Sequence, residues 1–474
     1  MHQLLLALKY IAAEQDTPHS GDELLFKWLH APWFNIPPVE IARLSIEVSD
    51  RQFGKNKTFL GPLLHEKIHT PPKDLFTLPA HPGLQKANSL LQQWTEAAHT
   101  LAPHQLFEHM AREASITAYI QQAPHKEQLQ AAQNSLSVFI EEEIRLDPTL
   151  TLKEILTRIG DLQKQGASLP FLQLPGSDSP TGAPEIEPME PGFINALVER
   201  FTMNVSALNN YLRCPLEFYY KNILRIPSPQ NEATGFGSAV HYALEQLFRK
   251  MLEASIGSRQ RLFPPPETFI ADFEGYMHRS RECFTAAQFE RRLAHGREVL
   301  NNYYAAYINS FPTVVAIERM IRIACNGIPL KGKPDKLEFD GKSVNIVDYK
   351  TGDYDKAMLR MQPPREEDPN GGDYWRQAVF YKILVDNYEE KGWKAMSTSF
   401  DFIEPDKTGR YRREILPVTA ADTATVTQQL TRAWHNIQHH AFYTGCGAAH
   451  CSWCNFVKGN GLAVAIHKEA ASCF

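Results

Sequence analysis

The stretch LPGSDSPTGAPEIEPMEPG, residues 174–192, is so dense in prolines, glycines and serines that it can form neither regular structure nor a core. A chain with such a break must fold as separate parts. At 474 residues it also exceeds what one ordinary core organises, so 1–173 and 193–474 are expected to be distinct domains joined by a linker at 174–192. Before the break, LLLALKYIAA, ELLFKWLH, VEIARLSIEVS, SLLQQWTEAAHTL and LSVFIEEEIRL repeat apolar residues at three- and four-residue spacing, which predicts a mostly helical domain. Thr151 with Glu154 predicts a capping box, and Gly166 a stop.

After the break, helix and strand signals mix. NVSALNNYLRCPLEFYYKNIL reads as helix on both sides of Cys214-Pro215, and GFGSAVHYALEQLFRKML as a helix started by glycines. TVVAIERMIRIAC, IPLKGKPDKLEF and SVNIVDYKT read as three strands separated by Asn-Gly and Asp-Gly turns. YWRQAVFYKILVDNY is a long helix, MSTSFDFIEP and YRREILPV add strands, and ADTATVTQQLTRAWHNIQHH is a further helix.

Charge is uneven along the chain. Residues 1–200 carry 16 Lys and Arg against 24 Asp and Glu, a balance of −8; residues 201–474 carry 33 against 30, a balance of +3. A polyanionic partner should therefore prefer the C-terminal part. No run of 18 apolar residues exists, which excludes a membrane-spanning helix. MHQLLLALKYIAAEQD reads as an amphipathic helix interrupted at Lys9, with no cleavage-site pattern. Seven cysteines without a secretory signal predict a reducing, cytoplasmic compartment and either thiols or a metal site.

The strand pair turning at Asp340-Gly341 holds the most chemistry. Asp335 and Asp348 stand five to seven residues from that turn on either side, so they can meet as cross-strand neighbours. Lys350, two residues beyond Asp348, projects from the same face. Two such carboxylates repel unless a cation lies between them, and hard oxygen ligands suit Mg²⁺ or Mn²⁺. The lysine could then hold or deprotonate an attacking water. Taken alone, the same pattern also fits a surface hairpin closed by a salt bridge. His241 and Glu245 lie four apart on one helix face, where the histidine can be a nitrogen ligand or a core residue. Gln377 and Tyr381, beside Trp375 and Arg376, fit contact with a nucleic-acid strand and equally an amphipathic helix with a buried tyrosine.

In order, SALNNYLRCPLEFYY, GFGSAVHYALE, GKPDKLE, IVDYKTG and RQAVFY resemble the successive motifs of the RecB-type, AddB-like branch of the PD-(D/E)XK nucleases over residues 200 to 460. The resemblance implies an α/β fold: a restriction-endonuclease-like core, its central mixed sheet flanked by helices, preceded by the mostly helical N-terminal domain. It implies that His241, Asp335, Asp348 and the Tyr349 carbonyl are metal ligands, and that Lys350 is catalytic together with Asp348 and Asp335. Gln377 and Tyr381 match the family's Gln-x-x-x-Tyr motif, and Glu318 and Glu245 fall at accessory, DNA-facing positions. Some members of the branch hold an iron–sulfur cluster on one early cysteine and a late Cys-x2-Cys-x5-Cys. Cys214, Cys451 and Cys454 match three of those places, but Asn460 occupies the last, leaving Cys446 to complete a set. Ordinary buried thiols or a zinc site are the other readings.

Residues 1–173 are similar to accessory segments of UvrD-like helicases, yet the sequence has no Gly-x-x-x-x-Gly-Lys-[Ser/Thr] and hence no ATP site of that kind. The expectation is a Mg²⁺- or Mn²⁺-dependent DNA nuclease, an exonuclease of recombination and double-strand-break repair, acting in the nucleoid on DNA ends. A helicase partner or a motor in trans would complete it. The alternatives are a DNA-binding subunit without catalysis and a stand-alone nuclease of a defence or CRISPR adaptation system.

Overall fold

The computed structural model describes residues 1–52, 56–70, 80–165, 167, 169–172, 190, 192–228, 231–256 and 262–459. Gly166, Asn460 and all of the expected linker except residues 190 and 192 lie outside the described residues. The described residues form two compact units, one drawn from 1–196, 219–228 and 447–459, the other from 197–218 and 231–446.

The described part of the first unit is helical. Its opening helix, His2–Asp16, is not amphipathic as its polar residues suggested: Gln3 through Leu8 are all buried, so it runs through the core. Phe26 and Trp28 pack in the same unit, and Tyr220 stacks on Trp453 with ring centroids 4.4 Å apart. The helix Leu152–Lys164 begins with the expected capping box. Thr151 accepts from the Glu154 N–H at 3.3 Å, and Glu154 accepts from the Thr151 N–H at 2.8 Å. No helix among the described residues is long and apolar enough to cross a membrane.

The second unit is built on a five-stranded mixed sheet. Its strands are β1 (Val315–Ile317), β4 (Lys336–Asp340), β5 (Ser343–Lys350), β6 (Lys394–Phe402) and β7 (Arg413–Leu416), paired in that order; β2 (Ile321–Cys325) and β3 (Ile328–Gly332) form a separate ribbon. Among the described strands of this sheet only β5 and β6 run parallel, and the chain between them includes the helix Asp373–Asp386. The unit's longer helices are α1 (Val205–Arg213), α2 (Glu232–Ala254), α3 (Pro266–Arg279), α4 (Ala286–Tyr307), α5 (Asp373–Asp386) and α6 (Ala420–Gln438). Apolar side chains of α2, α3 and α4 form one core with Val347 and Tyr349 of β5. Strand alternation then turns Asp348 and Lys350 to the other face, where α5 lies.

Two runs read as single strands are each broken. TVVAIERMIRIAC divides into β1 and β2 because Glu318 adopts a left-handed backbone, φ 48°, which no continuous strand accommodates. IPLKGKPDKLEF divides into β3 and β4 around Pro334, which has no N–H to donate to a ladder. The β2–β3 turn has positive φ at both Asn326 (51°) and Gly327 (77°), as a two-residue type I′ hairpin requires. Helix α2 starts before its glycines: the Asn231 side chain accepts from the N–H groups of Ala233 and Thr234, both at 3.0 Å. Gly235 is needed there for packing, since a Cβ would meet the Phe284 ring at 2.8 Å.

Candidate active site

The β4–β5 register pairs Lys336 with Val347. One step outward on each strand, Asp335 and Asp348 therefore come opposite each other. Asp335 Oδ2 accepts the Tyr349 N–H at 2.7 Å and lies 3.2 Å from His241 Nδ1, which α2 delivers from above the strand ends. Asp348 is buried; its Oδ2 lies 2.6 Å from Lys350 Nζ, and its Oδ1 accepts from Gln377 Nε2 at 2.8 Å. Lys350 Nζ also donates to Gln377 Oε1 at 2.9 Å. One α5 side chain, Gln377, thus spans both members of the Asp348–Lys350 ion pair and sets their orientation.

The electrostatics follow from two carboxylates sharing one dry corner. Burial raises the Asp348 carboxyl above its usual range and neighbouring Asp335 raises it further, against the pull of Lys350. Asp335 goes the other way: burial opposes its ionisation, but the His241 charge and the bonds from His241 and Tyr349 hold it below the usual range. Burial likewise disfavours the His241 imidazolium, yet Asp335 and Asp348 outweigh it and carry the ring up to about 9. Two hard oxygens and an imidazole nitrogen converging here are donors suited to Mg²⁺ or Mn²⁺.

Glu245 and Glu318 line a cavity of about 400 Å³ together with His241. Each carries its own cation: Glu245 lies 2.6 Å from Arg249, and Glu318 pairs with Lys333. Glu318 is further tied in by its N–H, which donates to the Asp335 carbonyl at 3.0 Å. Tyr381 is buried, with its hydroxyl accepting from Gln377 Nε2 at 3.3 Å, so it supports Gln377 from behind.

Strand contact by Trp375 and Arg376 is ruled out by burial. The Arg376 guanidinium donates to Gln429 at 3.0 Å and to the carbonyls of Asn370 and Gly371 at 2.6 and 2.7 Å. Trp375 Nε1 donates to Asp422 at 3.2 Å. Both residues fasten α5 to its surroundings because an uncapped loop carbonyl in a dry interior needs a donor.

Sequence reasoning missed Tyr374. Its ring lies 4.0 Å from Lys350 Nζ and 3.8 Å from the Arg360 guanidinium, within cation–π range of both. The available signal was helical spacing: Tyr374 precedes Gln377 by three residues, hence shares its face. Away from this corner, the Sγ atoms of Cys214 and Cys446 lie within 4.8 Å of each other in the second unit, as do those of Cys451 and Cys454 in the first.

The pattern of the PD-(D/E)XK nuclease superfamily matches residues 202–458, and the chain belongs to that superfamily. Its fold is that of metal-using phosphodiester hydrolases acting on nucleic acid. Among solved structures, a "Putative exonuclease" from Eubacterium rectale is similar at 12% identity and a TM-score of 0.33, over 52% of this chain and 84% of that one. No curated protein matches the chain.

Proposed function

We propose that the chain is a metal-dependent DNA nuclease, an exonuclease serving recombination and double-strand-break repair, and part of or derived from a helicase–nuclease. The observation that supports this best is the convergence of Asp335, Asp348, His241 and Lys350, with Gln377 bridging Asp348 and Lys350. In this reading His241, Asp335, Asp348 and the Tyr349 carbonyl hold one divalent cation. When bound, the cation supplies Lewis-acid stabilisation of charge at the scissile phosphate. Lys350, fixed by Asp348 and Gln377, is positioned to take a proton from the attacking water or to neutralise developing negative charge. Asp335 orients the imidazole of His241, which must shed its proton before it can ligate.

Residues 1–173 are read as a helicase-derived helical domain and 193–474 as the nuclease domain, with any ATP-driven motor on another chain. Linear and covalently closed circular DNA incubated with the protein, Mg²⁺ and no ATP give the test. Loss of linear DNA with the circle intact is expected, whereas equal cutting of both would overturn the exonuclease reading.

Cys214, Cys446, Cys451 and Cys454 are read as ligands of an iron–sulfur cluster, which demands four thiolates. Four thiolates also satisfy a structural zinc ion, so metal content decides. Anaerobically purified protein should be brown and contain iron. One zinc per chain without iron would replace the cluster by a zinc site, and metal-free protein would reject both.

A further inference from the structure

The cavity beside His241 has a second wall, and that wall is aromatic. It is lined by Gly237, Ser238 and Tyr242 of α2 and by Tyr276 of α3, in addition to His241, Glu245 and Glu318. The Tyr242 and Tyr276 rings lie 5.0 Å apart at 38°. Over them sits the exposed Arg279 guanidinium, 5.0 Å from the first ring and 5.5 Å from the second.

The competing explanation is purely structural. Two tyrosines can fill the seam between packed helices, and an arginine in the last turn of α3 favours the helix dipole. Three observations go beyond it. Among the described residues, neither tyrosine hydroxyl has a hydrogen-bond partner, and Arg279 has no carboxylate partner. The other cations near this cavity, Arg249 and Lys333, are each neutralised by the acid beside them. The cavity in front of the rings adjoins the carboxylate corner, since His241 and Glu318 line it and both contact Asp335. Its volume of about 400 Å³ falls in the range of small-ligand sites.

We propose that Tyr242, Tyr276 and Arg279 form a subsite for one unpaired nucleotide next to the scissile phosphate, with the base on the tyrosines and a backbone phosphate on Arg279. The inference rests on the nuclease reading above and adds to it a substrate class, the single strand. Stacking on an aromatic face accepts any base, which gives grip without sequence preference. The arginine is held ready by the rings beneath it, so less of its rotamer freedom remains to be lost on binding.

The test uses the full chain and an oligonucleotide carrying 2-aminopurine near its end, with Ca²⁺ in place of Mg²⁺ for binding and Mg²⁺ for turnover. The variants are Tyr276→Leu, Tyr276→Phe and Arg279→Gln, each checked by thermal melting. Tyr276→Leu and Arg279→Gln should raise KM for single-stranded DNA about tenfold with a much smaller change in kcat, the scale of losing one stacked base or one phosphate contact. Tyr276→Leu should also abolish the 2-aminopurine quench, and Tyr276→Phe should restore it. If Tyr276→Leu does not fold, the KM of Arg279→Gln decides. Unchanged KM and an unchanged quench, in a protein that still cleaves DNA, would overturn the subsite and leave the nuclease reading standing. A wild-type protein that neither binds nor cleaves DNA would overturn both.

Discussion

Asp348→Asn and Lys350→Ala should each abolish Mg²⁺-dependent DNA cleavage while leaving DNA affinity within about threefold of wild type, since other side chains hold the strand. For Lys350 the expected loss is about 10²–10⁴-fold, the usual contribution of a positioned proton-transfer group. Asp348→Asn keeps the shape of the side chain, so the bond from Gln377 Nε2 can persist. It removes the charge that pairs with Lys350 at 2.6 Å and halves the carboxylate set facing a cation. Burial magnifies the second effect, because a hard cation in a dry corner has little water to substitute for the lost ligand. Cleavage at wild-type rate in either variant would remove that residue from the mechanism.

The second large effect is on stability and arises on the opposite face of the sheet, from the neighbouring strand β4. Lys336 is 1% exposed, with its ammonium 2.9 Å from Glu338 and 5.3 Å from the Tyr349 ring centre. Arg413 completes the set, 2.8 Å from Glu338 and 3.2 Å from Asp401. Burial alone lowers the lysine below its usual value, with Glu338 and Asp401 pulling against it. Lys336→Ala leaves two buried carboxylates with one cation and opens a cavity, and should destabilise the unit by about 3–5 kcal/mol. Lys336→Met keeps most of the packing and should cost less. Urea unfolding followed by Trp fluorescence measures both. Equal stabilities of Lys336→Ala and wild type would show that the network is relaxed by water.

What could be read in the sequence was local. Asp335, Asp348 and Lys350 sit on one hairpin whose turn and alternation fix their meeting, and His241 follows from a helix capped just upstream. The break at Glu318 was missed because apolar residues flank it closely on both sides, whereas the break at Pro334 was legible in the proline itself, which cannot donate to a ladder. Burial of Trp375 and Arg376 was missed for a different reason: α5 is enclosed nearly all round, so periodicity does not mark its exposed face. Tyr276 and Arg279 belong to a helix with no motif of its own, and only the packing of α3 against α2 brings them to the cavity.

The central claim, that Asp335, Asp348, His241 and Lys350 make this chain a metal-dependent nuclease, is tested most directly by one time course. End-labelled single- and double-stranded DNA is mixed with metal-free protein, Mg²⁺ is added, and a chelator follows; Asp348→Asn runs alongside. Cleavage that begins with Mg²⁺, stops with the chelator and is absent from the variant is the predicted result. DNA left intact by the wild type with either Mg²⁺ or Mn²⁺, or cut equally by the variant, would contradict the claim.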